Sequence, residues 1–352
     1  MYRHGNVKRR LTIGTYPALS LAEAREKAAV AHHAVQYSGT DPAAAKKAER
    51  AAETFAELAH DYIERHAKRQ KRSWRKDLLI LEKDALSRFG KRKAKDITRR
   101  DIITMLDEIV SRGAPIQANR TLEIIRKLFN WAVARDILGA NPCYRVPKPS
   151  NENRSDRVLS EEEIRAVWLA LAAEAAMTAA IYKLRLLTAQ RGTEVLAMRW
   201  DQISSGWWTI PAEIAKNGLT HRVPLSAPVL RLLDEVHPLG KGSEWVFPGV
   251  DGEGHRVAIH KAHNRIRRRS SVSFVPHDLR RTAASHMTSM GIRWLVVSKV
   301  LNHVESGITA VHDRHCYDAE KRAALDAWGR RVEEILSGGA TAPANVVSLH
   351  GT

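Results

Sequence analysis

A polar, proline-bearing stretch at residues 146–157 divides this chain of 352 residues, and it constrains the fold more than any other feature. Its sequence is Val-Pro-Lys-Pro-Ser-Asn-Glu-Asn-Arg-Ser-Asp-Arg. Prolines and small polar residues in this density are typical of a linker between domains. The chain is long enough for two or three domains with cores of their own. We therefore expect the linker 146–157 to separate an N-terminal part from a larger C-terminal domain.

The residues directly before this linker carry the signals of a helical domain. Thr54 with Glu57 forms a predicted capping box, and Thr98 is a predicted N-cap with an acid three residues later. Further along, apolar residues recur at helical spacing and are expected in the core: Leu122, Ile125, Leu128, Phe129 and Ala132. We expect a compact domain over residues 53–145, with helices at 55–68, 73–89, 98–111 and 115–135.

Residues 1–52 predict a smaller N-terminal segment. A short basic strand is expected at 8–13, ending at Gly14. Ser20 with Glu23 is a predicted capping box for a helix that runs to about Gln36. After a break at 39–42, the stretch 43–53 is rich in Ala, Lys and Glu and predicts a helical linker.

The residues after the linker predict a domain over 158–336 that combines helices with a few short strands. Residues 207–211 and 222–225 are the predicted strands, and Lys216 lies in the turn between them. Helices are expected from about residue 160 and at 177–189, 193–198, 228–236, 260–269, 277–290, 292–302 and 309–336. The Gly/Ala/Pro-rich tail 337–352 is expected to be flexible. The predicted fold class is mainly α with a small antiparallel β-sheet.

The charge of the chain indicates a polyanionic partner. The net charge is +18, which favours nucleic acid first and an anionic membrane surface second. A dense basic run at 68–76 predicts phosphate contacts, and a second run at 265–269 predicts contacts with a DNA backbone. The candidates in these runs are Lys71, Arg72, Arg75, Lys76, Arg267 and Arg268. The alternative for each run is a solvated helix face.

Several other classes of protein are excluded by the sequence. No apolar run approaches the ~20 residues that cross a bilayer, and the N-terminus has no apolar signal core. Cys143 and Cys316 give neither a disulfide framework nor a Cys-x-x-Cys metal site. We expect a soluble cytoplasmic protein with two free thiols and no contact with a membrane.

The stretch 276–286, Pro-His-Asp-Leu-Arg-Arg-Thr-Ala-Ala-Ser-His, indicates the chemistry. Pro276 suits the first turn of a helix, on which His277 and Arg280 share one face. A guanidinium offers paired donors to phosphate oxygens, and an imidazole can move a proton near neutral pH. A phosphate site is therefore expected here, provided that other segments bring further cations to the same face.

These further segments make the chain resemble the tyrosine recombinases, the phage integrase family. Residues 188–200, with Arg191, are similar to the first arginine motif, His277 to Arg280 to the His-x-x-Arg motif, and 301–303 to the Leu-Gly-His-like motif. Lys216 lies in a hairpin turn, as the family's catalytic lysine does. Residues 53–145 resemble the core DNA-binding domain. Residues 8–36 resemble the end of the arm-binding module of P4-like and genomic-island integrases, so 1–52 is expected to be a partial module of that kind.

The resemblance implies roles for these residues. Arg191 and Arg280 would hold the non-bridging oxygens of a phosphodiester on which charge develops. Lys216 would protonate the leaving 5′ oxygen, His277 would handle the proton of the nucleophile, and His303 would donate to the phosphate. Because the energy of the phosphodiester is kept in a covalent protein–DNA bond, the resemblance implies neither a cofactor nor a metal.

The chain departs from the family at the nucleophile. The family's tyrosine lies nine residues after the histidine of the third motif, and here that position is His312. Tyr317 is five residues further on, which on a continuous helix is a rotation of about 140° and a rise of about 7.5 Å. Three hypotheses follow: His312 blocks cleavage, Tyr317 attacks after a local rearrangement, or His312 itself attacks. A metal site formed by His312, His315 and Cys316 is the least favoured alternative.

The expected function is site-specific recombination, the integration or excision of a mobile element by DNA breakage and rejoining. The resemblance implies double-stranded DNA attachment sites as substrate, a homotetramer on DNA, and excisionase or DNA-bending accessory proteins. Residues 309–336 and the tail are the candidates for contacts between subunits. The alternatives are a DNA-binding homologue without catalytic activity and a topoisomerase of type IB, which the arrangement of the preceding domains disfavours.

Overall fold

The computed structural model describes residues 1–152, 156–257, 259–304 and 315–338. The chain forms two compact units, Met1–Asn153 and Arg154–Thr352, and each unit has its own hydrophobic core. Helices dominate both units, and each unit contains one small antiparallel sheet. The predicted fold class, mainly α with a small antiparallel sheet, is confirmed.

The first unit begins with a β-hairpin of strands β1 (Tyr2–His4) and β2 (Val7–Arg9), in which Tyr2 pairs with Arg9. Gly5 forms the turn with a φ of +57°, a conformation that suits glycine. The single strand predicted at 8–13 is therefore wrong, because the chain turns at Gly5 and pairs its first residues with Val7–Arg9.

Two helices follow the hairpin. Helix α1 (Leu21–Tyr37) begins with the predicted capping box of Ser20 and Glu23. Helix α2 (Pro42–Ala51) is capped by the carboxylate of Asp41, which accepts from the amides of Ala43 and Ala44. The helical linker predicted at 43–53 is confirmed as a helix.

The helical part of the first unit has a continuous apolar core. Its helices are α3 (Phe55–Tyr62, continued by a π-helical turn Ile63–Ala67 and by Lys68–Gln70), α4 (Trp74–Ile80, continued by Leu81–Leu86 and Ser87–Phe89), α5 (Arg99–Ser111) and α6 (Pro115–Val133). Capping boxes form at Thr54 and Thr98 as predicted. The five predicted core residues of α6 are all completely buried. The four predicted helices are thus confirmed, with the π-helical turns as the unpredicted detail.

The first half of the predicted linker is fixed to helix α6. The buried amide of Asn119 donates to the carbonyl of Ser150 (2.7 Å) and to Glu152 Oε1 (3.0 Å), and the amide of Ser150 donates back to Asn119 Oδ1 (3.2 Å). Lys148 pairs with Glu123 and Glu152 beside this contact. Residues up to 152 are consequently held by the first unit.

The second unit packs helices around a three-stranded sheet. The elements are α7 (Glu161–Leu171), α8 (Ala176–Thr188), α9 (Gly192–Leu196), β3 (Ile203–Ser204), β4 (Trp207–Ile210), β5 (His221–Pro224), α10 (Ala227–Val236), α11 (His260–Ser270), α12 (Asp278–Ser289), α13 (Trp294–Val300) and α14 (Asp318–Ser337). The sheet order is β3-β4-β5, with Trp208 paired to Val223. Strand β3, with two residues, was not predicted because it is too short to show an alternating pattern.

Helix α14 belongs to the core of its own unit. Trp328 is completely buried, and its indole Nε1 donates to the carbonyl of Leu186 on α8 (2.9 Å). Lys321 donates to the carbonyl of Arg222 on β5 (2.9 Å). The predicted start at 309 lies outside the described residues, but the prediction of one continuous helix over 309–336 is wrong, because Tyr317 has a left-handed φ of 55° and the described helix starts at Asp318.

Candidate active site

The guanidinium of Arg280 is the structural centre of the predicted site. Arg280 lies in the first turn of α12 and is 4% exposed. Its Nη1 donates to the carbonyl of Ala189 (2.7 Å), and its Nη2 donates to the carbonyl of Leu301. Both acceptors lie beside predicted motifs, so this one side chain holds the first and third motifs together.

Arg191 lies between helices α8 and α9. Helix α8 ends at Thr188, the left-handed φ of 57° at Ala189 turns the chain, and Arg191 then precedes the first residue of α9. Glu194 is 1% exposed and accepts from Arg191 Nη1 (3.0 Å) and from the Arg191 amide (3.1 Å). This carboxylate orients the arginine that the sequence singled out, while the arginine side chain keeps 18% exposure.

The two arginines repel each other. Burial lowers the pKa of Arg280 to about 10, and the positive charge of Arg191 contributes to that shift. Arg280 remains charged at neutral pH, and the carboxylate of Glu194, which pairs with Arg191, offsets part of this repulsion. Two cations with one carboxylate leave a net positive charge that can receive an anion.

Two imidazoles border the same charges. Removal of water from the imidazole of His277, followed by the charges of Arg281, Arg280 and Arg185, lowers the pKa of His277 to about 4, although the residue reaches solvent. Burial and the charges of Arg280 and Arg191 lower the pKa of His303. Both rings are consequently neutral at pH 7 in the free protein, and each can accept a proton at one nitrogen and donate at the other.

An open cleft of about 870 Å³ brings His277, Arg280 and His303 together. Its wall also includes Arg281 and Trp294, and the ring centroids of Trp294 and His303 are 6.5 Å apart. Arg191 approaches these groups closely enough to act on the titration of Arg280 and His303. The structure thus gathers four of the predicted residues, Arg191, His277, Arg280 and His303, around one positively charged site.

Lys216 is attached to this site through its neighbour. The lysine is exposed in the connection 211–220 between β4 and β5, and the predicted turn around it is closed by a hydrogen bond from the Gly218 amide to the Ala215 carbonyl (3.0 Å). The side-chain amide of Asn217 donates to Asn302 Oδ1 (2.8 Å) and to the Asn302 carbonyl (3.2 Å). The lysine turn is therefore tied to the residue directly before His303.

Asn217 and Gln190 are structural residues of the site that the sequence reasoning missed. Gln190 is completely buried, and its Nε2 donates to the carbonyls of Thr188 (2.8 Å) and Val300 (2.9 Å). Asn302 has a left-handed φ of 51°, which asparagine tolerates better than most residues. Asparagine in a position where the motif resembles glycine is the signal that could have indicated this turn.

The structure does not bring Tyr317 into the cleft. Its ring lies 4.9 Å from Lys299 Nζ on α13 and 4.6 Å from the ring of His315. His312 lies outside the described residues. The rotation and rise calculated between residues 312 and 317 assumed that both lie on one helix. Tyr317 precedes α14 and is not helical, so the calculation does not apply to it. Among the described residues, no group of His, Cys, Asp and Glu is placed to hold a metal.

The basic run of the first unit surrounds one tryptophan. Lys68 and Arg75 lie 4.7 and 4.9 Å from the centroid of Trp74, and Lys71 pairs with the carboxylate of Asp77. The other candidates of this run, Arg72 and Lys76, are exposed. The run therefore forms a cationic surface around a half-buried indole.

The basic run of the second unit divides into two groups. Arg265 and Arg269 pair with the buried carboxylate of Glu174 at 2.5 and 3.0 Å. Arg267 and Arg268 are exposed, and Arg267 Nη2 donates to Ser273 Oγ (3.1 Å). Only the second group, which contains the two predicted DNA contacts, is directed away from the ion pair with Glu174.

Comparisons with known proteins agree with this architecture. Residues 157–319 match the phage integrase family, 55–148 the phage integrase central domain, and 1–49 an arm DNA-binding domain. Prophage integrase IntZ of Escherichia coli (strain K12) is 30% identical over 344 residues, which cover 93% of this chain and 84% of the relative. The integrase of Enterobacteria phage P4 is 24% identical over 363 residues, which cover 93% and 81%.

The fold also has solved counterparts. A lambda integrase tetramer bound to a Holliday junction has a TM-score of 0.62 at 18% identity, over 82% of this chain and 89% of that chain. A lambda integrase dimer bound to a core site has a TM-score of 0.61 at 18% identity, over 84% and 88%. The sequence relationship shows that the chain belongs to the phage integrase family of tyrosine recombinases, a family of DNA strand transferases. Within that family it has the domains of a site-specific recombinase of the integrase type. No described helix is both long and apolar enough to cross a membrane.

Proposed function

We propose that Arg191, Arg280, Lys216, His277 and His303 bind the phosphodiester to be cut in a double-stranded DNA attachment site. The observation that carries this proposal is the buried Arg280, which connects two motifs and is destabilised by the charge of Arg191. A phosphate between the two guanidinium groups relieves this repulsion and accepts paired hydrogen bonds.

The protonation states fit the proposed roles. With its pKa at about 4, His277 is neutral and can take the proton of an attacking hydroxyl. His303 is neutral as well and can donate one N–H to a phosphate oxygen. Attack at phosphorus breaks the bond to the 5′ oxygen, and Lys216 supplies the proton that this oxygen takes up. The connection of Asn217 to Asn302 supports a position of Lys216 near the phosphate.

Residue 312 decides whether this site cuts DNA. The family forms its covalent bond to the 3′ phosphate through a tyrosine, and this chain has His312 in that place. Because an imidazole cannot supply the phenolate, we propose that the chain binds its attachment site and does not cleave it. Its function is then that of an attachment-site binder or regulator. The location of Tyr317 against Lys299, away from the cleft, disfavours Tyr317 as a substitute.

The test compares covalent trapping by this chain and by His312→Tyr. The substrate is a nicked duplex with the attachment site, which is first identified by sequencing the DNA that the protein retains. We expect covalent complexes with His312→Tyr only, and their loss in the double variant His312→Tyr, Arg191→Ala. Covalent trapping by the unchanged chain would contradict the proposal that His312 prevents cleavage. Acid-labile complexes would then assign the attack to His312. Acid-stable complexes that Tyr317→Phe abolishes would assign it to Tyr317. Complexes that persist in the Arg191 variant would contradict the phosphate site.

We propose that the whole chain acts in the cytoplasm, as a multidomain protein that assembles on DNA. We propose that the chain comprises a partial arm module with its helical linker (1–52), a core DNA-binding domain (53–145), the linker (146–157), a catalytic domain (158–336) and a tail (337–352). The lambda integrase complexes contain dimers and tetramers on DNA, and we expect a homotetramer on paired sites, with excisionase or DNA-bending proteins as accessories. Because α14 is part of the core of its own unit, an exchange of this helix between subunits would first require its release.

A further inference from the structure

Arg185 is a buried cation that the proposed reaction has not used. It lies on α8, six residues before Arg191, and is 7% exposed. Its Nε is completely buried without a hydrogen-bond partner, and the guanidinium forms no ion pair or hydrogen bond with any residue that the structure describes. Burial lowers the pKa of Arg185 to about 10, so the side chain is still charged at pH 7.

The guanidinium lies flat against Gly192, the first residue of α9. A Cβ atom on Gly192 would be 2.7 Å from Cζ and 2.8 and 2.9 Å from the two terminal nitrogens of Arg185. These three nearly equal distances show that the plane of the guanidinium faces the glycine. Arg185 is therefore packed directly behind the backbone that carries Arg191, and only a residue without a side chain fits there.

The charge of Arg185 also reaches the cleft. Together with burial and the charges of Arg281 and Arg280, it lowers the pKa of His277, and the charge of Asp278 opposes this shift. The charge of Arg185 also acts on Tyr182 and His263.

The carboxylates around this region are already engaged. Glu194 pairs with Arg191, Asp278 with Arg281, and Glu174 with Arg265 and Arg269. A buried guanidinium without an anion is costly, and an apolar side chain of similar size is expected to stabilise the fold more. The buried, unpaired charge of Arg185 is therefore better explained by an interaction with an anionic ligand than by a role in folding.

We propose that Arg185 is a positioning residue of the phosphate site: a third, buried positive charge that attracts a phosphate towards Arg191 and is held there by packing on Gly192. This inference rests on the proposed phosphate site. Arg185 need not touch the phosphate, because a charge in a poorly solvated interior acts over several ångströms. The same charge helps to keep His277 neutral until a phosphate arrives.

The test uses the full chain with Arg185→Met, Arg185→Lys and Gly192→Ala, and inorganic phosphate as the probe. Binding and the pKa of His277 are followed by the ring-proton NMR signals of His277 and His303. For Arg185→Met we expect phosphate affinity to fall on the order of fivefold, the pKa of His277 to rise without phosphate, and the thermal midpoint of the second unit to rise. Arg185→Lys keeps the charge and should retain the low pKa of His277.

The contact with Gly192 provides the matched control. Gly192→Ala should weaken phosphate binding in the unchanged chain and have no further effect in Arg185→Met, because the displaced guanidinium is then absent. Unchanged phosphate affinity and an unchanged pKa of His277 in Arg185→Met would overturn the inference, and so would a fall in the thermal midpoint together with unchanged binding. If the unchanged chain shows no phosphate-dependent shift at His277 and His303, the proposed phosphate site itself fails.

Discussion

The buried His221 predicts a loss of stability in mild acid. His221 lies on β5, is 6% exposed, and its Nε2 contacts the carbonyl of Val300 at 3.1 Å, directly before the third motif. Because a carbonyl only accepts, the ring must carry its proton on Nε2. Burial, followed by the charge of Lys321, lowers the pKa of His221 from 6.5 to about 3, and the charges of Arg280 and Arg191 act in the same direction.

The sign and size of the effect follow from linkage. In the unfolded chain His221 binds a proton below pH 6.5, whereas the folded protein resists protonation until about pH 3. The unfolded state therefore gains protons first, and the free energy of unfolding decreases as the pH falls through this window. Between pH 8 and pH 4.5 the two pKa values give a loss of about 3 kcal/mol.

The measurement is urea unfolding at pH 8 and pH 4.5, followed by hydrogen exchange of peptides from the second unit. His221→Gln is the matched variant, since its amide can still donate to the Val300 carbonyl and does not titrate. We expect the unchanged chain to lose about 3 kcal/mol more than His221→Gln between the two pH values. Equal losses in both proteins would refute the assignment of a buried neutral imidazole at this position.

Three further changes test other parts of the structure. Trp328→Ala, which empties the site of a completely buried indole, should cost about 3–5 kcal/mol of unfolding free energy, and a cost below 1 kcal/mol in urea unfolding would contradict the packing of α14. Asn217→Ala should increase hydrogen exchange of the lysine turn and of the turn at Asn302, by breaking a bond of 2.8 Å, and unchanged exchange at both would refute the connection. Arg268→Gln should reduce the slope of log DNA affinity against log salt by about 0.9. Arg265 pairs with a carboxylate, so Arg265→Gln should leave this slope unchanged and lower the stability instead. The reverse pattern would contradict the division of this basic run into two groups.

The parts of the fold that the sequence predicted well are those fixed by local chemistry. Ser20, Thr54 and Thr98 each precede a helix with an acidic residue three positions later, and all three capping boxes are present. The apolar spacing of α6 placed its core residues correctly, because a helix repeats its buried face at a fixed interval. Such signals need only a few neighbouring residues.

The parts that failed depend on residues distant in sequence or on single backbone angles. Strand β2 was misplaced because its partner is defined by the turn at Gly5 and not by its own residues. The interruption of the predicted helix 309–336 at Tyr317 was missed because this residue takes a left-handed angle that no helix propensity indicates.

The candidate site shows the same limit. Its cationic residues could be identified from motifs, but the polar contacts that arrange them could not. Asn217 meets a residue 85 positions away and Gln190 one 110 positions away. Arg185 lacked any motif and was visible only from its burial and its missing partner. Tertiary packing alone supplies such information.

The double attachment of Arg280 has an evolutionary consequence. Since its guanidinium donates to the carbonyls of Ala189 and Leu301, its loss would leave two buried acceptors unpaired as well as removing a phosphate ligand. Selection for folding alone therefore preserves this arginine in a descendant that no longer needs to cut DNA. The presence of Arg280 in such a lineage then indicates that the fold is maintained, and does not indicate that the protein cuts DNA. The first residues free to drift are those without a structural duty, and among the described candidates the exposed Lys216 is expected to diverge before either arginine.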